Sequence, residues 1–103
     1  MSNINTFKAL LEKGNDNALL RYSLGNEYLK EANFEEAITH LQKAIELNES
    51  YSAAWKLYAK ALAENNQTED AINAYEKGIE VAEANGDKQA VKEMQVFLKR
   101  LKR

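Results

Sequence analysis

The 103-residue chain is predicted to be all-α, a short α-solenoid of two helix pairs flanked by an N-terminal and a C-terminal capping helix. Three observations carry this. Between short polar clusters, apolar residues recur at i, i+3, i+4 and i+7, which places them on one face of a helix. No stretch reads as a strand. The sequence also matches itself after a shift of 34 residues.

Proline is absent and glycine stands only at 14, 25, 78 and 86, so polar clusters must punctuate the chain. "KGNDN" (13–17), "EAN" (31–33), "LNES" (47–50), "ENNQT" (64–68) and "ANGD" (84–87) do so at short intervals. The segments between them predict helices over 4–13, 17–31, 34–47, 51–64, 68–84 and 87–102. The first carries Ile4, Phe7, Leu10 and Leu11. The third opens with Asn33 and Glu36, a capping-box-like start with Asn in place of Ser or Thr. Thr68 is placed to cap the fifth, with Glu69 and Asp70 favourable in its first turn. Asn85-Gly86 followed by Asp87 reads as a helix stop and then a new N-cap. The last helix gathers Val91, Met94, Phe97, Leu98 and Leu101 on one face. An array of stacked pairs exposes apolar surface at both ends, and the two terminal helices are placed to cover it.

The 34-residue shift lays Leu24 on Tyr58, Gly25 on Ala59, Tyr28 on Leu62, Ala37 on Ala71, Leu41 on Tyr75 and Ala44 on Gly78. Small residues thus recur where helices must cross closely, and large ones where the gaps between crossings need filling. A 34-residue unit of two helices, with these residues at these spacings, resembles the tetratricopeptide-repeat family. The resemblance covers residues 18–51 and 52–85 within a single domain spanning 1–103. Leu24, Gly25, Tyr28, Ala37 and Ala44 carry it in the first copy, and Trp55, Ala59, Ala71 and Tyr75 in the second. Two positions depart from the pattern. Arg21 stands where Trp55 does, tolerable if its stem packs and its head stays wet. Glu49 and Glu83 replace the family's frequent proline. The stretches "DNALLRYSLGNEYL" and "GDKQAVKEMQVFLKRL" further resemble a group of small bacterial members of about this length.

The resemblance implies a protein-binding adaptor with a concave groove lined by the first helix of each repeat. Carried over residue by residue, the groove positions are Leu19, Tyr22, Asn26 and Leu29 in the first copy. In the second they are Ala53, Lys56, Lys60 and Ala63. Aligning Val91, Met94 and Leu98 with Trp55, Tyr58 and Leu62 requires a short insertion near "EANG". It adds Gln89, Lys92, Val96 and Lys99. The resulting surface is polarised, with Tyr22 and Leu29 at one end and Lys56, Lys60, Lys92 and Lys99 at the other. Such lysines in an otherwise acidic chain would attract a peptide or helix bearing carboxylates. Solvated lysines doing nothing are the plainer alternative. The family's clamp for a chaperone's terminal carboxylate is mostly absent: Asn26 fits, but Tyr22 replaces its lysine and Leu57 its second asparagine.

Composition narrows the remaining classes. With no cysteine and one histidine, thiolate sites and paired-histidine metal motifs are excluded, and no metal or cofactor is expected. His40 falls at an outward position of its helix and reads as a surface histidine. The pairs Glu35-Glu36 and Glu69-Asp70 are explained by helix N-termini without catalysis, so an enzyme is not expected. No apolar run approaches the roughly 18 residues that span a membrane. "MSNINTFKAL" lacks the basic start and apolar core of a secretory signal, which leaves a cytoplasmic location as the expectation.

Residues 1–87 carry 8 basic and 15 acidic side chains, whereas 88–103 carry 6 and 1. The terminal "KRLKR" raises nucleic-acid binding as a weaker alternative. Cations in a last helical turn complement the helix dipole instead, and a pI near 5.5 lies far below a basic footprint. Assembly is the other alternative: a monomer, or a weak homodimer joined through Phe97 and Leu101 or Phe7 and Leu10.

Overall fold

A computed structural model describes residues 3–103. They form six helices: α1 (Ile4–Glu12), α2 (Ala18–Lys30), α3 (Phe34–Leu47), α4 (Ser52–Glu64), α5 (Thr68–Asn85) and α6 (Lys88–Leu101). Each predicted helix is present, with no end moved by more than one residue. Among the described residues no helix is long and apolar enough to cross a membrane.

Four of the six helices, α1, α2, α4 and α5, stop by one device. Gly14, Ala32, Asn66 and Gly86 all adopt positive φ, between 59° and 91°. At each, the next amide reaches back five residues, as in Asn33 N–H to Tyr28 O and Gln67 N–H to Leu62 O, both 2.9 Å. This left-handed stop satisfies a carbonyl that the helix end leaves over. Ala32 and Asn66 are 34 residues apart, so the repeat is written in the backbone as well as in the sequence. The starts are more varied. Asn17, Asn33 and Asp87 each accept an amide hydrogen bond at their helix N-termini, at 2.8, 3.4 and 3.1 Å. Thr68 is not the cap the sequence suggests. It is the first residue of α5, and Gln67 before it caps nothing with its side chain.

Successive helices pack as antiparallel neighbours, α2 on α3 and α4 on α5. Cα atoms of α2 and α4, and of α4 and α6, come within 8 Å, but those of α3 and α5 do not. The inner layer is therefore closed and the outer layer splayed, which curves the stack and makes α2, α4 and α6 its concave side. Small residues permit the approach. A methyl group on Gly25 would overlap Leu41 Cγ, with Leu41 Cδ2 at 2.7 Å; one on Gly78 would meet Met94 Sδ at 2.8 Å and Trp55 Cβ at 3.0 Å. Leu24, Tyr28, Ala37, Leu41 and Ala61 form one buried cluster, and Ala59, Leu62, Ala71, Tyr75, Ala82 and Met94 belong to the next. α6 closes the second through Met94 and through Phe97, whose ring stacks on Tyr75 at 5.9 Å. Burial pushes the Tyr75 phenol up to about 12. α1 buries no residue fully and leans Ile4, Phe7 and Leu11 on the first cluster.

Candidate binding groove

The inner layer presents the residues assigned from sequence with unequal freedom. On α2, Leu19 is the most exposed large apolar side chain at 66%, yet it turns to the α1 side. There, with Phe7, Leu10, Leu20 and Ser23, it lines a hollow of about 330 Å³. Tyr22 is half-buried: its ring packs on Tyr51, centroids 5.0 Å apart, so it serves the junction between α2 and the α3–α4 turn. Asn26 and Leu29 are half-exposed, and the Asn26 side chain makes no hydrogen bond among the described residues. Leu57, at the clamp asparagine's position, packs into the α2–α3 cluster.

The four lysines divide into two kinds. Lys56 is half-buried and ion-paired, its Nζ 2.8 Å from Glu93 Oε1. Gln89 Nε2 donates to the other Glu93 oxygen at 3.4 Å. That lysine beside it holds the Glu93 carboxyl below the usual carboxylate range. Lys60, Lys92 and Lys99 are exposed, with no ion pair among the described residues. Lys60 and Ala63 edge a hollow of about 180 Å³ with Tyr75, Phe97, Arg100 and Leu101. Lys92 edges another of about 360 Å³ between α5 and α6, floored by Ala82 and Val91. Val96 lies on α6 between Lys92 and Lys99 and is 49% exposed. Ala53 is half-buried and Gln89 exposed. No single hollow gathers all eight of Leu19, Tyr22, Asn26, Leu29, Lys56, Lys60, Lys92 and Lys99. They stand on α2, α4 and α6, uncharged on the first and basic on the other two, with Leu19 turned toward α1 and Lys92 toward the α5–α6 hollow.

Two expectations need correction. His40 is not on the surface; it is 8% exposed, and its ring stacks on Tyr28, centroids 5.5 Å apart and planes at 5°. The 34-residue shift held the signal, since His40 falls on Ala74, itself buried. Nor does the Arg21 head stay wet. It donates to both Asp16 oxygens at 2.7 and 3.0 Å, and Nη1 lies 3.0 Å from His40 Nδ1. Arginine can only donate, so Nδ1 accepts and the imidazole proton sits on Nε2, which faces Glu36 at 3.6 Å. Burial, and after it the Arg21 charge, push the His40 imidazole down from its ordinary value. Arg21 replaces an aromatic contact with a polar one that ties α2 to α3. Sequence inspection also passes over Ser52, a buried hydroxyl that donates to Asp87 at 3.0 Å and so joins the starts of α4 and α6. Among the described residues no three histidine or carboxylate side chains converge as metal ligands would.

The family can now be decided. Residues 22–88, well over half of the chain, match the family model described as tetratricopeptide repeat. The chain belongs to the tetratricopeptide-repeat family. It is 46% identical over 100 residues to the TPR repeat-containing protein PA0015 of Pseudomonas aeruginosa, a match spanning 97% of this chain and 95% of that one. The solution structure of protein BPP2914 from Bordetella parapertussis superimposes with a TM-score of 0.87 at 40% identity, covering 98% of this chain and 88% of that one. The crystal structure of a tetratricopeptide repeat domain protein from Salinibacter ruber does so at 0.78 and 28% identity, over 84% and 97%. The expected likeness to small bacterial tetratricopeptide proteins is thus borne out. Within 62 residues the chain is also 39% identical to the yeast anaphase-promoting complex subunit CDC16, of which it spans only 7%. Tetratricopeptide proteins generally serve protein–protein interaction, and that is the level at which the family speaks for this chain.

Proposed function

We propose that this tetratricopeptide module is an adaptor, not an enzyme, whose concave face binds a peptide or helix segment rich in carboxylates. The observation that carries it is the gathering of Lys56, Lys60, Lys92 and Lys99 on α4 and α6, three of them exposed and without an ion pair among the described residues. Unneutralised cations on a concave wall raise the local concentration of an acidic partner and speed its capture. Tyr22 and Leu29 at the other end supply apolar contact for the same segment.

The test compares wild type with a Tyr22→Ala, Lys56→Glu, Lys60→Glu variant, shown to be folded by circular dichroism, as baits in lysate of the native organism. A protein held by wild type, released by moderate salt and lost by the variant is the expected result. Equal retention by both would remove the groove from consideration.

Self-association through a terminal helix has one observation in its favour, the exposed Leu10 and Leu19 around the α1–α2 hollow. Light scattering across a concentration series checks it: a mass that stays at the monomer value rules it out.

A further inference from the structure

We infer that Glu93 is a resident stand-in for the ligand, its carboxylate holding the Lys56 ammonium until a carboxylate of an incoming acidic segment takes its place. This rests on the reading of the concave face as the binding surface. The pair joins α4 to α6 within the inner layer, between residues 37 apart in sequence, at 2.8 Å. Glu93 is the only acid among residues 88–103, and the cation it faces is Lys56. Its carboxylate occupies the position on that ammonium that a ligand carboxylate would seek.

The exchange is cheap because it preserves the type of bond. Side-chain exposures of 30% and 40% keep both partners wet before and after it. Pairs of this kind contribute little by themselves, about 0–1 kcal/mol. Once released, Glu93 keeps its contact with Gln89 and regains water. It also leaves an unneutralised charge that repels the ligand. A segment with one carboxylate therefore gains little more than it displaces. One with several also reaches Lys60, Lys92 and Lys99, which have no competitor. The pair acts as a filter for partners carrying several carboxylates.

The test uses a fluorescein-labelled peptide of ten glutamates. Fully extended it spans about 33–36 Å, within the 41 Å long axis of the molecule. Anisotropy at low salt compares wild type, Glu93→Gln, Glu80→Gln and the double variant Lys56→Gln/Glu93→Gln. Glu80→Gln removes the same charge from an exposed site on α5, and the double variant restores the wild-type net charge. Glu93→Gln is expected to bind about three- to fivefold tighter than wild type, the size an exposed pair allows. Glu80→Gln should stay near wild type, and the double variant should lose the gain.

A gain no larger than that of Glu80→Gln, or one that survives without Lys56, would overturn the inference. If Lys60→Glu/Lys99→Glu still weakened binding in that case, the groove reading would stand. Absence of binding by wild type and every variant would overturn both.

Discussion

Arg21 and His40 show how one substitution in a repeat reorganises its neighbours. Where Trp55 sends its indole N–H to Glu49 O at 2.9 Å, Arg21 reaches Asp16 and His40 instead. The imidazole must stay neutral to accept from Arg21, and the groups facing it are Arg21 on α2, Glu36 on α3, Lys8 on α1 and Asp16 in the preceding turn. Its folded-state pKa is lowered below that of the unfolded chain, so below about pH 6.5 the unfolded state takes up the proton first. The stability this adds is complete above that pH and is lost as pH falls toward the folded-state value. As the sole histidine, His40 dominates that window. Urea midpoints of wild type are expected to fall between pH 7.5 and about 5.5. Those of His40→Asn, which keeps an acceptor but cannot titrate there, should stay level. Parallel slopes would show that the histidine is not responsible. At Gly25 a different argument applies. Helix propensity alone favours alanine by about 1 kcal/mol. The added methyl would collide with fully buried Leu41, and overpacking costs about 1–3 kcal/mol. Gly25→Ala is expected to lower the urea midpoint, against the propensity; a rise would mean that α2 and α3 can separate without loss.

The helices differ in what holds them. α3 and α5 are gripped on both sides by inner-layer helices, and α4 touches α2, α3, α5 and α6. α1 touches α2 alone, has nine residues and carries no side-chain cap at Asn3. Helices this short are marginal without tertiary support. One of its attachments is the Asn3 amide, which donates to Glu27 at 3.2 Å and holds that carboxyl below its usual range. Amide hydrogen exchange is expected to label α1 orders of magnitude sooner than α3 to α5, by local opening rather than global unfolding. Protection of α1 equal to that of α4 would require contacts the fold does not provide. The other terminal helix is better anchored. Met94 fills the notch at Gly78, Phe97 stacks on Tyr75, and Lys102 meets Glu76 at 3.1 Å, so α6 is part of the core as much as its cover.

Over the molecule as a whole, two apolar clusters share partners: Ile38 and Tyr58 pack against both. The stack is therefore joined side chain by side chain where one helix pair follows another, as nearest-neighbour coupling in repeat proteins requires. Charge is distributed on the same plan. Acids dominate the first 87 residues, and the concentrated basic charge enters with α6, which forms one wall of the concave layer. Folding brings that wall beside Lys56 and Lys60 of α4. If the proposed acidic segment is the partner, it meets a field that neither helix supplies alone, and salt screens that field over about 10 Å at 0.1 M.

The number, order and approximate ends of the helices were legible in the sequence because their causes are short-range. Apolar spacing, polar breaks and the Asn33 and Asp87 caps act within a few residues, and the 34-residue match of small and large positions identifies the stacked-pair architecture. The proposed groove positions were assigned from the same repeat register. What they touch could not be assigned that way. Tyr22 against Tyr51, Lys56 against Glu93 and Arg21 against His40 join residues 19 to 37 apart, and each depends on how two helices are rotated about their axes and which rotamers reach. A shift of one side chain decides whether a lysine is free or neutralised, or whether a histidine is wet or stacked. By itself the sequence determined the fold, the family and the inner layer. Only the tertiary structure decided that Lys56 is already occupied and that His40 is buried, because pairings between helices are set by three-dimensional packing and leave no periodic trace along the chain.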